Sequence, residues 1–217
     1  MEPPALTRLR EQRLVAVIRA PDGQAALGAA RAVAAGGVRI VEITFTVPGA
    51  SRVMAALKDE PGLTVGAGTV LTAAQAREAL AAGARFLIAP NLSRGVADEA
   101  AGAGVLFCPG AYTTTEILAA RDAGAQVVKV YPVGVVGGPA YIHIIRDPLP
   151  DIPLLAAGGT TLENVVPFLE AGCVAVGLGA SLADPALAAA GHFDELTRRA
   201  HAFVERLEAA GLRAAGA

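Results

Sequence analysis

Gln126-Val127-Val128-Lys129-Val130-Tyr131-Pro132 is the stretch from which the rest of the chain is read. Its β-branched residues fall on both parities, between Gly124 and Pro132, so it is expected to be a strand buried on both faces. Strands of that kind belong to parallel sheets covered by helices. One lysine interrupts the apolar run. Burying an unpaired ammonium costs on the order of several kcal/mol or more. Lys129 therefore either reaches a polar mouth at the end of its strand or gives up its proton, and both states suit a catalytic amine. A lysine paired with a buried carboxylate, or one snorkelling to solvent, is the bland alternative.

The same short apolar strand recurs on either side. A leading helix is expected over 6–12. Strands follow at 14–19, 39–44, 63–68, 85–89, 105–108, 126–132, 153–157 and 173–176. Helices fill the gaps. Asp22 caps the first, Pro48 opens the second, Thr72 caps the third and Ser93 begins the fourth. Thr113 or Thr114 caps the fifth, Gly137-Gly138-Pro139 starts the sixth, Thr161 caps the seventh, and a long last helix covers 192–210. Helix-ending glycines recur at Gly36, Gly62, Gly83, Gly102, Gly124 and Gly172, at near-even spacing with the last gap spanning two units. Strands alternating with helices imply parallel pairing and right-handed crossovers. Eight such units without a linker predict an α/β chain folded as a single (β/α)₈ TIM barrel with an N-terminal helix, one domain over 1–217. An open doubly wound sheet is the rival architecture.

Composition narrows the function. Hydrophobic residues make up 53% of the 217 and charged residues 18%, which allows a large core and argues against disorder. The net charge of −2 supplies no basic patch, so nucleic acid is not expected as the main partner. No stretch has the roughly 20 apolar residues that a membrane span needs. The residues from Met1 lack the basic and apolar segments of a leader, so a cytoplasmic protein is expected. Cys108 and Cys173 fall in separate strands and read as reduced core thiols. His143, His192 and His201 lie away from strand ends, and no His or Cys pair has metal-ligand spacing, so neither metal nor cofactor is expected. Ser181 has no histidine neighbour to activate it as a hydrolase nucleophile.

A barrel of this kind keeps its site at the carboxyl ends of the strands. Alternation places Val127, Lys129 and Tyr131 on one face, and Ile40, Glu42 and Thr44 on one face. Arg19 ends the first strand, Thr69 follows the third and Pro90 the fourth. A lysine, a glutamate and an arginine are thus candidates to converge at one mouth. A buried ion pair that only fixes packing is the alternative for Glu42. Two glycine-rich loops, Ala157-Gly158-Gly159-Thr160-Thr161 and Gly177-Leu178-Gly179-Ala180-Ser181, follow the seventh and eighth strands. Loops at those places commonly grip phosphate with backbone N–H groups and a helix amino terminus, although glycines also simply make tight turns.

The chain resembles the 2-keto-3-deoxy-6-phosphogluconate (KDPG) and 2-keto-4-hydroxyglutarate (KHG) aldolases. The matching segments are Val41-Glu42-Ile43-Thr44, Val65-Gly66-Ala67-Gly68-Thr69-Val70, Ala89-Pro90, Pro109-Gly110, Val128-Lys129-Val130-Tyr131-Pro132, Gly158-Gly159 and Val176-Gly177-Leu178-Gly179, in family order. The resemblance implies a class I, metal-free aldol cleavage of 2-dehydro-3-deoxy-6-phosphogluconate to pyruvate and glyceraldehyde 3-phosphate. It implies Lys129 as the Schiff-base lysine and Glu42 as the general acid/base. Thr69, Pro90 and Tyr131 match substrate-lining positions. Gly158, Gly159 and Ser181 match the phosphate site, with Gly179 in the same loop, and a homotrimer is implied. Thr46 stands where some members have arginine, leaving Arg19 to hold the pyruvyl carboxylate. Ala157 stands where many have threonine, which bears on C4 stereochemistry or aldehyde choice. The phosphogalactonate epimer and 4-hydroxy-2-oxoglutarate stay open as substrates. Metal-dependent epimerases of this fold place His and Asp at strand ends, which this chain does not. A non-catalytic sugar-phosphate binding protein is the rival from another class.

Overall fold

The computed structural model describes residues 2–213; the domain span of 1–217 and the leader reading, which starts at Met1, reach beyond them. Among the described residues the strands are β1 (Leu14–Ile18), β2 (Ile40–Thr44), β3 (Thr64–Gly68), β4 (Phe86–Ile88), β5 (Leu106–Cys108), β6 (Gly110–Ala111), β7 (Val128–Val130), β8 (Leu154–Ala157) and β9 (Ala175–Leu178). They form one sheet in the order β5-β4-β3-β2-β1-β9-β8-β7-β6, with parallel pairing throughout.

The two edges of that sheet, β5 and β6, are consecutive in the chain and separated by Pro109 alone. They are two halves of one strand, so the ring has the eight expected positions and closes through the covalent chain. Proline breaks the strand because it carries no N–H for the ladder. Its carbonyl still accepts from Lys129 N at 2.9 Å, and Ala111 O accepts from Tyr131 N at 3.0 Å. Below the break a side chain substitutes for backbone: Phe107 N donates to Gln126 Oε1 at 2.8 Å.

The helices are α1 (Pro4–Gln12), α2 (Gly23–Ala35), α3 (Ala50–Leu57), α4 (Ala73–Ala81), α5 (Arg94–Ala103), α6 (Thr114–Asp122), α7 (Pro139–Arg146), α8 (Val165–Glu170), α9 (Pro185–Ala189) and α10 (Phe193–Ala209). Side-chain caps fix several starts. Asp22 accepts from Ala25 N, and Thr72 and Thr113 form capping boxes with Gln75 and Glu116.

Several boundaries differ from the sequence reading. The second helix starts at Ala50 rather than Pro48, because Gly49 sits at φ 72 and delays it. Gly102 lies inside α5, and it is Gly104, at φ 66, that ends the helix. Thr161 does not cap α8 directly. Asn164 Oδ1 accepts from Thr161 N and its Nδ2 donates to Gly159 O, closing a turn that holds the helix back to Val165. The last strand is Ala175–Leu178, later than 173–176, since pairing with both β1 and β8 sets it and local propensity does not. The short α9 was not anticipated.

Side chains separate into two layers. Leu14, Ala16, Ile18, Val41, Ile43, Ala67 and Leu87 face outward into a shell with the helices. Val15, Ile40, Phe86, Ile88, Leu106, Cys108, Val127, Leu155 and Ala175 face inward, joined by Ala5, Leu6 and Leu9 of α1. α1 therefore stoppers the end of the barrel at which the strands begin. The parity expected for Lys129 and Glu42 places both in the inner layer. Gln126→Leu should strand the buried Phe107 N–H and lower the unfolding free energy by about 1–3 kcal/mol. Urea midpoints would show it, with a smaller loss for Gln126→Glu, which keeps an acceptor.

Candidate active site

β2 and β7 deliver the two ionisable groups. Glu42 is 1% exposed and Lys129 5% exposed. The register sets Val17 beside Glu42 and Glu42 beside Gly66 on one side of the ring. On the other it sets Gly110 beside Lys129 and Lys129 beside Leu155. Lys129 Nζ stands 5.0 Å from the centroid of the Tyr131 ring, just before a cis Tyr131–Pro132 peptide. Glu42 Oε1 is buried without a hydrogen-bond partner. An orphaned buried acceptor is uncommon and calls for a ligand or a retained proton. Burial raises the proton affinity of the Glu42 carboxyl, and attraction to Lys129 and then Arg19 opposes this without overturning it.

Above Lys129 lies a cavity of about 460 Å³. It is lined by Arg19, Lys129, Tyr131, Gly158, Gly159, Gly179 and Ser181, all anticipated, and by Val17, Ala157, Thr160, Gly177 and Ala180. Arg19 is exposed at the end of β1, and its Nη1 lies 3.8 Å from where a Gly179 Cβ would be. Gly158 and Gly159 adopt φ of 79° and 92°. A Cβ on Gly159 would come within 2.8 Å of Gly134 Cα, and one on Gly158 within 3.0 Å of the Tyr131 ring. These two glycines are thus required by conformation and by space. Thr160 Oγ1 donates to Gly177 O at 2.7 Å, tying the loop after β8 to β9. Ser181 Oγ is buried with no partner. The expected helix amino terminus at the paired glycines is displaced, because α8 begins at Val165.

Glu42, Thr69 and Pro90 do not line this cavity; Thr69 and Pro90 follow the carboxyl ends of β3 and β4. Thr69 follows β3 at φ 56, a left-handed conformation that a β-branched residue rarely adopts. The carbonyl of Pro90 lies 2.1 Å from where a Cβ of Gly110 would be, one residue pairing away from Lys129. Val17 was missed, although it shares the parity of Arg19 and so was readable. The Thr160 bond has no local sequence signal. Cys108 was read only as a core thiol. Burial pushes it up to about 12, with Lys129 and Glu42 as its charged neighbours, so a neutral thiol borders the pair. Among the described residues no group of three or more His, Cys, Asp or Glu could hold a metal ion, and no helix is long and apolar enough to cross a membrane.

This barrel with a lysine and a carboxyl in its interior matches one family across most of its length. The family model described as KDPG and KHG aldolase matches residues 6–199, and the chain belongs to that family. It is 37% identical over 172 residues to the 2-dehydro-3-deoxy-6-phosphogalactonate aldolase of Escherichia coli (strain K12), covering 78% of this chain and 83% of that protein. It is 34% identical over 194 residues to the 2-dehydro-3-deoxy-phosphogluconate aldolase of Treponema pallidum (strain Nichols), covering 89% and 91%. The KDPG aldolase of Legionella pneumophila, solved with pyruvate captured at low pH as a covalent carbinolamine intermediate, superposes with a TM-score of 0.84 at 25% identity, covering 94% and 98%.

The raised proton affinity of Glu42 has a sign for stability. The folded carboxyl holds its proton to higher pH than the unfolded one, so the fold loses stability as pH rises from the unfolded carboxyl range through the folded value. Glu42→Gln removes that loss. Its stabilisation should be small near about pH 4 and grow towards neutrality, by about 1.4 kcal/mol for each tenfold difference in proton affinity. Melting temperatures of both proteins across that range check it; a gain that does not grow with pH contradicts it.

Proposed function

We propose that this protein is a class I aldolase in which Lys129 condenses with the C2 ketone of 2-dehydro-3-deoxy-6-phosphogluconate and releases pyruvate and glyceraldehyde 3-phosphate. The observation that carries the reading is the burial of both Lys129 and Glu42 in the interior of one barrel, with Lys129 in the wall of a glycine-lined cavity. The lone pair of Lys129 Nζ attacks C2 to give a carbinolamine. Glu42, through a water, moves the protons that let water leave and the protonated imine form. The Glu42 carboxylate then takes the C4 hydroxyl proton. The C3–C4 bond breaks, its electron pair passes to C3 and the imine, and the aldehyde departs. The enamine is reprotonated at C3, and hydrolysis frees pyruvate and the lysine.

The remaining residues have assigned tasks in this proposal. Arg19 holds the pyruvyl carboxylate. Thr46, at the position where some members have arginine, has its hydroxyl 2.6 Å from that of Thr44, which donates to Ile18 O at 3.0 Å. Arg19 and Lys129 are the cations of the cavity lining. Gly158, Gly159, Gly179 and Ser181 take the phosphate, and the orphaned Ser181 hydroxyl supports that role. Thr69, Pro90 and Tyr131 border the carbon chain. The whole described chain works as one cytoplasmic domain, a location that the two buried free thiols favour. It assembles as a homotrimer, for which the exposed apolar residues Tyr112, Val135 and Ile144 offer candidate contacts.

A second reading, cleavage of the phosphogalactonate epimer, is supported by the 37% identity to a 2-dehydro-3-deoxy-6-phosphogalactonate aldolase. Ala157, with no hydroxyl, lines the cavity beside Gly158 where many members carry threonine. The values of kcat/KM on the two phosphorylated epimers and on 4-hydroxy-2-oxoglutarate decide among the three. Borohydride with pyruvate should inactivate the protein and add to Lys129 the mass of pyruvate less one oxygen. Lys129→Ala should abolish trapping and cleavage. Glu42→Gln should keep the adduct and lower kcat by about 10²–10⁴-fold. A protein that binds the sugar phosphate but neither traps pyruvate nor cleaves would be a sensor, and cleavage by Lys129→Ala would refute the imine.

A further inference from the structure

β3 turns no side chain inward beyond Thr64: its next two inward positions are Gly66 and Gly68. Glycine in a strand weakens it and marks a place where something approaches the backbone closely. Neither residue is among the glycines at positive φ, so conformation does not require them. Space does. A Cβ on Gly66 would fall 2.3 Å from the Phe86 ring. A Cβ on Gly68 would fall 1.8 Å from Glu42 Oε1 and 2.4 Å from both Cδ and Cγ. The end of the Glu42 side chain rests on the Cα of Gly68.

The register makes this informative. Glu42 pairs with Gly66, whereas Gly68 pairs with Thr44. The carboxyl has therefore leaned one inward step along the barrel axis, towards the mouth. We infer that Gly68 is a positioning residue. Its missing side chain is the seat that holds the Glu42 carboxyl at the height of Lys129 and away from the apolar layer of Ile40 and Phe86. The inference rests on the aldolase reading and adds a determinant to it. Phe86 over Gly66 blocks the lower position, and an open Gly68 admits the upper one.

Gly68→Ala tests the seat. The added methyl displaces the carboxyl, and a misplacement of about 1 Å at a reacting group can cost on the order of 10²-fold in rate. We expect kcat to fall by about that factor with KM little changed, while borohydride still traps pyruvate on Lys129. The acid limb of the kcat profile should also move, because the carboxyl leaves its place facing Lys129, Arg19 and the Cys108 thiol. Gly66→Ala, which meets Phe86 instead, should lower stability without moving that limb. Glu42→Asp is shorter by one methylene. In the Gly68→Ala background it should recover activity, so that the double variant is faster than the product of the single effects.

Wild-type kcat in Gly68→Ala, or losses that simply multiply in the double variant, would overturn the seat. If Gly68→Ala fails to fold, restoration of folding by Glu42→Asp supports the inference and continued misfolding overturns it. Failure of the wild type to trap pyruvate or cleave would strike the aldolase reading instead. The seat would then be judged by whether Glu42→Asp restores the melting temperature that Gly68→Ala loses.

Discussion

A closed ring of eight parallel strands encloses a fixed, narrow volume that side chains must fill, and the division of that volume governs this protein. Its lower half is taken by α1 and by Phe86, Leu106, Val127 and Leu155. What remains above is shared by Glu42, Lys129, Tyr131 and the Cys108 thiol. Burial there biases the Glu42 carboxyl towards its neutral form, and attraction to Lys129 opposes this without overturning it. Packing and reactivity are therefore one problem.

Glycine solves three different parts of that problem. At Gly158 and Gly159 it permits left-handed backbone and lets two loops touch. At Gly104 it ends a helix. At Gly66 and Gly68 it is present in ordinary strand backbone, purely to make room. A sequence reader sees one letter for all three, and only the neighbours distinguish them.

The barrel was legible because short runs apolar on both faces and the recurring helix stops agree along the chain, and because Lys129 and Glu42 contradict the runs they sit in. Boundaries were less legible for identifiable reasons. Gly102 looked like a helix stop, yet the left-handed turn falls at Gly104. The Asn164 side chain closes a turn that Thr161 alone does not reveal. Pro109 divides the fifth strand, and its repair by Gln126 depends on a contact across nineteen positions. The site followed the same rule. Parity located Lys129 and Glu42, and would have located Val17 and Cys108 had it been applied to the first and fifth strands. Thr69 and Pro90 follow strand ends but do not line the cavity, a distinction of loop path that alternation along a strand does not encode.

The stopper formed by α1 has a consequence for proton traffic. Ala5, Leu6 and Leu9 pack beneath the inner layer, at the end of the barrel opposite the cavity whose wall includes Lys129. In the proposed mechanism the amine meets bulk water through the cavity that would also admit substrate. If a keto acid fills that cavity as proposed, it separates Lys129 from bulk water, so the protons for dehydration, cleavage and reprotonation would have to come from the reactant and its immediate neighbours.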